Sequence, residues 1–261
     1  MVAAPLACDV PITSTASDGP SVLDTSPAGG DEGVLRLGPF VAFFDRQLLP
    51  RTVNRGTVRV RSGDVDHFLS VRFDPVERAL IAIPVGDRPL EPNVVYRFVI
   101  DGVRDLDDQQ IATEHVVRFR TGDEVGTPEV PPAAGWADVA PIFETRCATA
   151  AGCHTPENPP FGLDLSSAEA VARTAIGRRS PRLGGTTGPD ANRGSIFFGA
   201  LHIIDVIGGV GRPDGSLLIY KVLGDEHVLG ERMPPPDEGA ALSHDEIQTL
   251  SAWILAGAPT S

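Results

Sequence analysis

Lysine is almost missing from this chain: of 22 basic residues, only Lys221 is a lysine. Against 35 acidic residues this leaves a net charge of -13 and a pI near 4.8. Phosphate-backbone binding needs clustered Lys and Arg to displace counterions, so nucleic acid is not an expected partner. Polybasic recruitment to an anionic membrane face is equally unsupported. No run approaches the roughly 18 consecutive apolar residues of a spanning helix. Methionine is limited to Met1 and Met233, and cysteine to Cys8, Cys147 and Cys153.

What is present is ample for folding: 41% of the 261 residues are apolar, enough for a core in each of two ordinary domains. The start, "MVAAPLACDVPITSTASDGP", has six mostly small or apolar residues between Met1 and Cys8 and no basic n-region, too little for a signal peptide. Small and apolar residues ending in a cysteine, followed by a Ser/Thr/Asp/Pro tract, resemble the tail of a bacterial lipoprotein signal. That resemblance implies a start further upstream and lipidation at Cys8. The alternative is an ordinary disordered N-terminus with a chance cysteine. Residues 9 to 32 carry little apolar surface to offset the entropy of ordering and read as a spacer.

From Gly33 to Gly122 the pattern changes to short β-type runs between turn residues: "FVAFF", "TVRVR", "FLSVRF", "ALIAIP", "VVYRFVI" and "HVVRFR". Val58 and Val60, then Leu69, Val71 and Phe73, then Val117 and Phe119 alternate with polar residues, the period that buries one face of a strand. Six or seven such strands predict an all-β sandwich. With "FVAFFDRQLLPRTV" early, "LEPNVVYRFVIDGVRDLDDQQI" late and a closing "VVRFRTGD", the segment resembles bacterial Ig-like domains of the surface-layer type. The resemblance implies a spacer or presentation module. His67 and His115 fall in strand-like contexts and are expected at the surface or across strands.

Residues 123 to 136, "DEVGTPEVPPAAGW", read as a semi-stiff linker. The remainder, 137 to 261, differs in kind. Val139, Ile142 and Phe143 share one face of a short helix leading into Cys147. Ser166 with Glu169, and Ser243 with Glu246, predict capping boxes at two further helices. The second of these carries an apolar stripe of Ile247, Leu250 and Ile254 and ends at Gly257. Another short helix is expected at "SLLIYKVLG".

The stretch "FETRCATAAGCHTPENPP" carries the chemistry. A c-type haem needs two thiols to add across the porphyrin vinyl groups and a histidine directly after the second to ligate iron, usually as Cys-x-x-Cys-His. Here Cys147 and Cys153 are separated by five residues, with His154 following. The "ATAAG" between them is small and flexible, and Gly152 permits a turn that other residues resist. Methionine opposite histidine is a common axial pairing in cytochromes c. Met233 stands in the Pro-rich "ERMPPPDEG", where stiff backbone fixes a sulfur at low entropic cost.

In the order "VAPIFETRCATAAGCH", "FGLDLSS", "GRPDGSLLIYKVLG", "RMPP" and "LSHDEIQTLSAWILAGAP", residues 137 to 259 resemble a cytochrome c-like domain of bacterial surface and periplasmic proteins. The resemblance implies a mostly α fold with Trp253 and Ile254 of the last helix packed on the first. It also implies thioethers at Cys147 and Cys153, His154 as proximal ligand and Met233 as distal ligand of one haem c. The Gly-rich insert of residues 177 to 209 has no counterpart in that family.

The expectation is therefore a multidomain chain: an N-terminal all-β Ig-like sandwich, then a C-terminal mostly α cytochrome c-like domain. It would be an electron carrier rather than an enzyme, since no nucleophile, base and orienter set is visible. It would sit in the periplasm or at the cell surface, lipid-anchored at Cys8, and its acidity favours a basic redox partner. Competing readings remain. Cys147 and Cys153 can form a disulfide in a structural or adhesion protein. A zinc site would need a fourth ligand that no nearby spacing supplies. His202 and His227 are alternative axial donors, and His244, at the start of the last helix, is expected to face solvent. Glycines 208, 209 and 211 lack the Gly-Lys-Ser/Thr ending of a phosphate loop.

Overall fold

The structure, a computed structural model, describes residues 19–86, 88–127, 133–180, 201–228 and 230–261. Cys8, with the lipid expected on it, and most of the Gly-rich insert lie outside these residues.

Eight strands form two four-stranded antiparallel sheets. One runs in the order β1 (Val22–Ser26), β2 (Phe40–Phe44), β6 (Ala79–Pro84), β5 (Leu69–Asp74). The other runs β4 (Val65–Asp66), β3 (Val58–Ser62), β7 (Val95–Ile100), β8 (His115–Arg120). Period-two alternation sends Phe40, Ala42 and Phe44 of β2 inward together with Val58 and Val60, Leu69 and Phe73, and Val117 and Phe119. Between the sheets Phe40 meets Phe119 at 5.3 Å and Phe98 at 6.1 Å between ring centroids. This is the expected sandwich.

Its boundary differs from the sequence expectation. The stretch of residues 9 to 32 is not all spacer, because β1 within it pairs with β2 through a bulge between Val22 and Asp24. Gly30 also donates its N–H to the Arg118 carbonyl at 2.8 Å. "VLDTS" is an edge strand with Leu23 exposed, held by its backbone ladder with Val22 packed against the core. At the other end, Leu37 donates to the carbonyl of Val125, so part of the expected linker belongs to the sandwich.

The second unit contains α1 (Trp136–Ile142), α2 (Ala168–Thr174), a hairpin of β9 (Val206–Ile207) and β10 (Val210–Gly211), α3 (Leu217–Leu223) and α4 (His244–Leu255). Gly- and Pro-rich loops make up more of its described residues than helices do, so it is less helical than expected. The expected docking of the last helix on the first is present. Trp253, fully buried, contacts Phe143 at 5.7 Å and Trp136 at 6.3 Å, both edge-on.

Local signals hold at α4. The Ser243 hydroxyl accepts from the Glu246 N–H at 3.2 Å, and the Glu246 carboxylate accepts from the Ser243 N–H at 2.7 Å. Gly257, at φ +91°, turns the chain out of the helix. At α2 the cap is Ser167, one residue later than expected, because Ser166 instead donates to Asp164. Glycines 208 and 209 make the hairpin turn between β9 and β10, both at positive φ. Gly211 admits close packing: a Cβ there would lie 1.5 Å from the Ile254 carbonyl oxygen of α4.

The two units touch. Leu49 and Leu106 of the sandwich share an apolar cluster with Leu201, Tyr220 and Val228 of the second unit. His244 is exposed, as expected, and its Nε2 also lies 2.9 Å from Glu77 in the β5–β6 turn. His227 is gripped on both nitrogens, Nδ1 by Asp225 at 2.9 Å and Nε2 by the sandwich's Asp107 at 3.3 Å.

Two carboxylates on one ring require the imidazolium. The hydrogen bond that His227 donates to Asp225, with Asp107 adding to it against the effect of burial, raises the His227 pKa to about 9. A raised pKa stabilises the fold fully below the ordinary imidazole value, and that stabilisation is lost as pH rises through about 9. Allowing for solvent at the exposed Asp107, His227→Gln should lower stability by about 1–2 kcal/mol at pH 6 and by much less at pH 10. Urea unfolding of both chains at the two pH values measures this.

Candidate functional site

The site grows out of the end of α1. Its start is capped by the Asp138 carboxylate, which accepts from the Gly135 N–H at 2.7 Å. Pro141 lies inside the helix and has no N–H to donate. Beyond it the helix widens into a π-turn over Phe143–Cys147, in which the Ala148 N–H reaches the Phe143 carbonyl at 2.8 Å. Phe143 enters the core under Trp253, and Arg146 grips Glu246 of α4 through Nε and Nη2 at 2.9 and 3.4 Å. The turn therefore delivers Cys147 to a fixed, buried place.

From Cys147 the chain loops out and returns. The Cys153 N–H bonds the Ala150 carbonyl and the His154 N–H bonds the Cys147 carbonyl, both at 3.0 Å. Gly152 makes the turn at φ +95°, and nothing lies within 4 Å of where its Cβ would be, so conformation alone requires glycine there. Both thiols are free. Burial, together with the neighbouring Cys153, pushes the Cys147 thiol up to about 12.

His154 is held from behind. Its Nδ1 lies 2.9 Å from the Leu163 carbonyl, and a carbonyl only accepts, so Nδ1 carries the proton and Nε2 the lone pair. The Leu165 N–H donates to the His154 carbonyl at 2.9 Å. Leu163 follows a tight turn, Pro160–Gly162, in which Phe161 takes the unusual φ of +55°. Asp164, beside it, is clasped by Ser166 at 2.6 Å and by Thr174, whose hydroxyl donates to the Asp164 carbonyl at 2.8 Å. Burial lowers the His154 pKa, partly offset by the Leu163 carbonyl and by Asp164, which keeps the ring neutral near pH 7. Among the described residues Nε2 has no hydrogen-bond partner. The adjacent Thr155 hydroxyl is also buried without one.

Cys147, Cys153 and His154 are thus brought together on one loop. Met233 is on a different loop, along α3, where its N–H donates to the Lys221 carbonyl at 2.9 Å. It is half-buried and belongs to none of the three apolar clusters of the described residues. Of the alternative donors, His227 has both nitrogens engaged by carboxylates and is unsuited to ligate a metal. His202 is tied by Nδ1 to Asp205 at 2.9 Å. His67 bonds the Arg88 carbonyl at 2.9 Å and His115 is half-buried on β8. Leu163, Thr155 and Arg146 were not legible in the sequence. The only hint was the "PPFG" turn a few residues after His154.

Among the described residues no three His, Cys, Asp or Glu side chains converge as a metal cage. The donors present, two thiols and one imidazole, are of the kinds that could hold a prosthetic group carrying its own metal.

No protein family and no curated protein matches the chain. Similar solved structures include domains 1–6 of the surface layer protein SbsC, at 12% identity over 46% of this chain with a TM-score of 0.33. Another is CopC from Methylosinus trichosporium OB3b, at 13% identity over 40% of this chain and 93% of that one, with a TM-score of 0.33. The chain spans 17% of the SbsC structure. Likenesses at this level carry no functional argument.

The two thiols should differ sharply in reactivity. In the haem-free folded chain at pH 8, Cys153, only partly buried on its loop, should alkylate readily, while Cys147, buried and with its thiol pushed up to about 12, labels only after unfolding. Peptide mapping of native and denatured samples measures the ratio.

Proposed function

We propose that the second unit is a c-type haem domain that carries out one-electron transfer, borne on the Ig-like sandwich as a stalk in the periplasm or at the cell surface. The observation that carries this reading is His154: neutral, locked through Nδ1 by the Leu163 carbonyl, with Nε2 unpartnered among the described residues, on a loop closed against Cys147. A metal-bound histidine commonly donates its other ring N–H in this way, which fixes tautomer and orientation. Cys147 and Cys153 would hold the porphyrin as thioethers, and His154 and Met233 would supply a nitrogen and a sulfur ligand to its iron. When bound, the haem supplies an iron that alternates between ferric and ferrous.

The chain's own residues do the rest. Leu163 and the Asp164 clasp orient His154, the π-turn and Arg146 place Cys147, and the buried Thr155 hydroxyl offers a hydrogen bond beside the imidazole. The buried, high-pKa Cys147 thiol is a poor nucleophile once the domain has folded. Attachment there therefore belongs before folding is complete. The net charge of -13 favours a basic partner, with association weakening as salt is added.

The test is expression alongside a c-type maturation system, followed by haem staining on a denaturing gel and a pyridine haemochrome spectrum. Haem that survives denaturation is expected, lost or strongly reduced in Cys153→Ala, and present with altered axial absorbance in His154→Ala. Met233→Ala should remove the sulfur-to-iron band. A chain without haem, its two thiols oxidised to each other, would replace this reading with a disulfide-stapled structural protein.

A further inference from the structure

Met233 stands on a loop held by polar bonds to its main chain. Two cations hold it. Lys221 Nζ donates to the Glu231 carbonyl at 2.7 Å. Arg232 donates through Nη1 to the Pro234 carbonyl at 2.7 Å and through Nη2 to the Gly239 carbonyl at 3.2 Å. The guanidinium thus bridges the two ends of "PPPDEG", directly after the methionine. Its stem lies against the end of α3, where a Cβ on Gly224 would sit 3.1 Å from the Arg232 Cβ. Glu231, Asp237 and Glu238 are close in sequence, yet among the described residues no carboxylate pairs with Arg232. Its donors are directed to backbone carbonyls instead, an arrangement suited to a planar fork and not to the point charge of lysine.

We propose that Arg232 is the positioning residue for the Met233 thioether, holding loop 230–239 so that the sulfur is presented as an axial ligand. This rests on the haem reading above. A thioether is a soft donor and a weak match for ferric iron, so an added imidazole competes with it. The competition is decided by how much ordering the loop has already undergone. With the fork intact the sulfur is preorganised; without it, each ligation must also order the loop, and the external ligand gains.

Imidazole titration of the ferric holoprotein, followed through the sulfur-to-iron band, tests this in the wild type, Arg232→Gln and Arg232→Lys. Arg232→Gln is expected to bind imidazole at least about tenfold more tightly and to have a lower reduction potential, with Arg232→Lys closer to Gln than to wild type. Near-UV circular dichroism of the Trp136 and Trp253 cluster checks that each variant is folded. If Arg232→Gln does not fold, Arg232→Lys, which keeps the charge, decides. A folded variant with wild-type imidazole affinity and potential would overturn the proposal, because a merely structural role leaves both unmoved. A haem-bearing wild type whose spectrum ignores Met233→Ala would overturn it too, while leaving the haem reading standing. A wild type without haem would overturn both.

Discussion

The burial of Trp253 against Phe143 and Trp136 is the contact on which the second unit depends. It joins the last helix to the first across more than a hundred residues of chain, and its indole N–H is satisfied by the Pro259 carbonyl at 2.8 Å. Trp253 is the largest fully buried side chain among the described residues, and aromatic pairs add about 0.5–1.5 kcal/mol beyond area alone. Because Phe143 opens the π-turn, the same contact sets where Cys147 lies. From Cys147 the position passes by one backbone hydrogen bond to His154.

Polar bonds then refine what the apolar core places. Arg146 and Glu246 tie the turn to α4, Asp164 and Thr174 stiffen the segment behind His154, and Arg232 stiffens the loop of Met233. Each works on main-chain carbonyls or on a helix terminus rather than forming an isolated surface pair, the kind worth little. Together they make rigid a region whose glycines and prolines give it few regular hydrogen bonds. The sandwich is joined to this unit by a small apolar cluster and by His227 and His244, so its geometry relative to the site depends on charge as well as on packing.

Cys147 and Cys153 illustrate how environment divides two like residues. One thiol is buried beneath the helices and loses its acidity; the other lies on the loop near solvent. Nothing in "CATAAGC" distinguishes them. The distinction arises because the π-turn directs one inward and the glycine turn leaves the other at the rim.

Local features were legible in the sequence because their causes are local. The alternation of Val58 and Val60, the Ser243 to Glu246 cap, the helix stop at Gly257 and the bend at Gly152 each follow from neighbouring residues and backbone sterics. Features that depend on main-chain acceptors were not: a carbonyl has no residue type, so neither Leu163 behind His154 nor Pro234 and Gly239 beneath Arg232 could be named in advance. Strand β1 escaped for a related reason, its "VLDTS" being held by a ladder to β2 with Val22 packed on the core and no alternating apolar face to read. The sequence by itself determined that a Cys, Cys-His loop and a lone Met would stand in a two-part acidic chain. Only the tertiary structure decided which ring nitrogen of His154 the Leu163 carbonyl holds, which thiol is buried and which histidine is locked between carboxylates, since each depends on groups outside its immediate sequence neighbourhood.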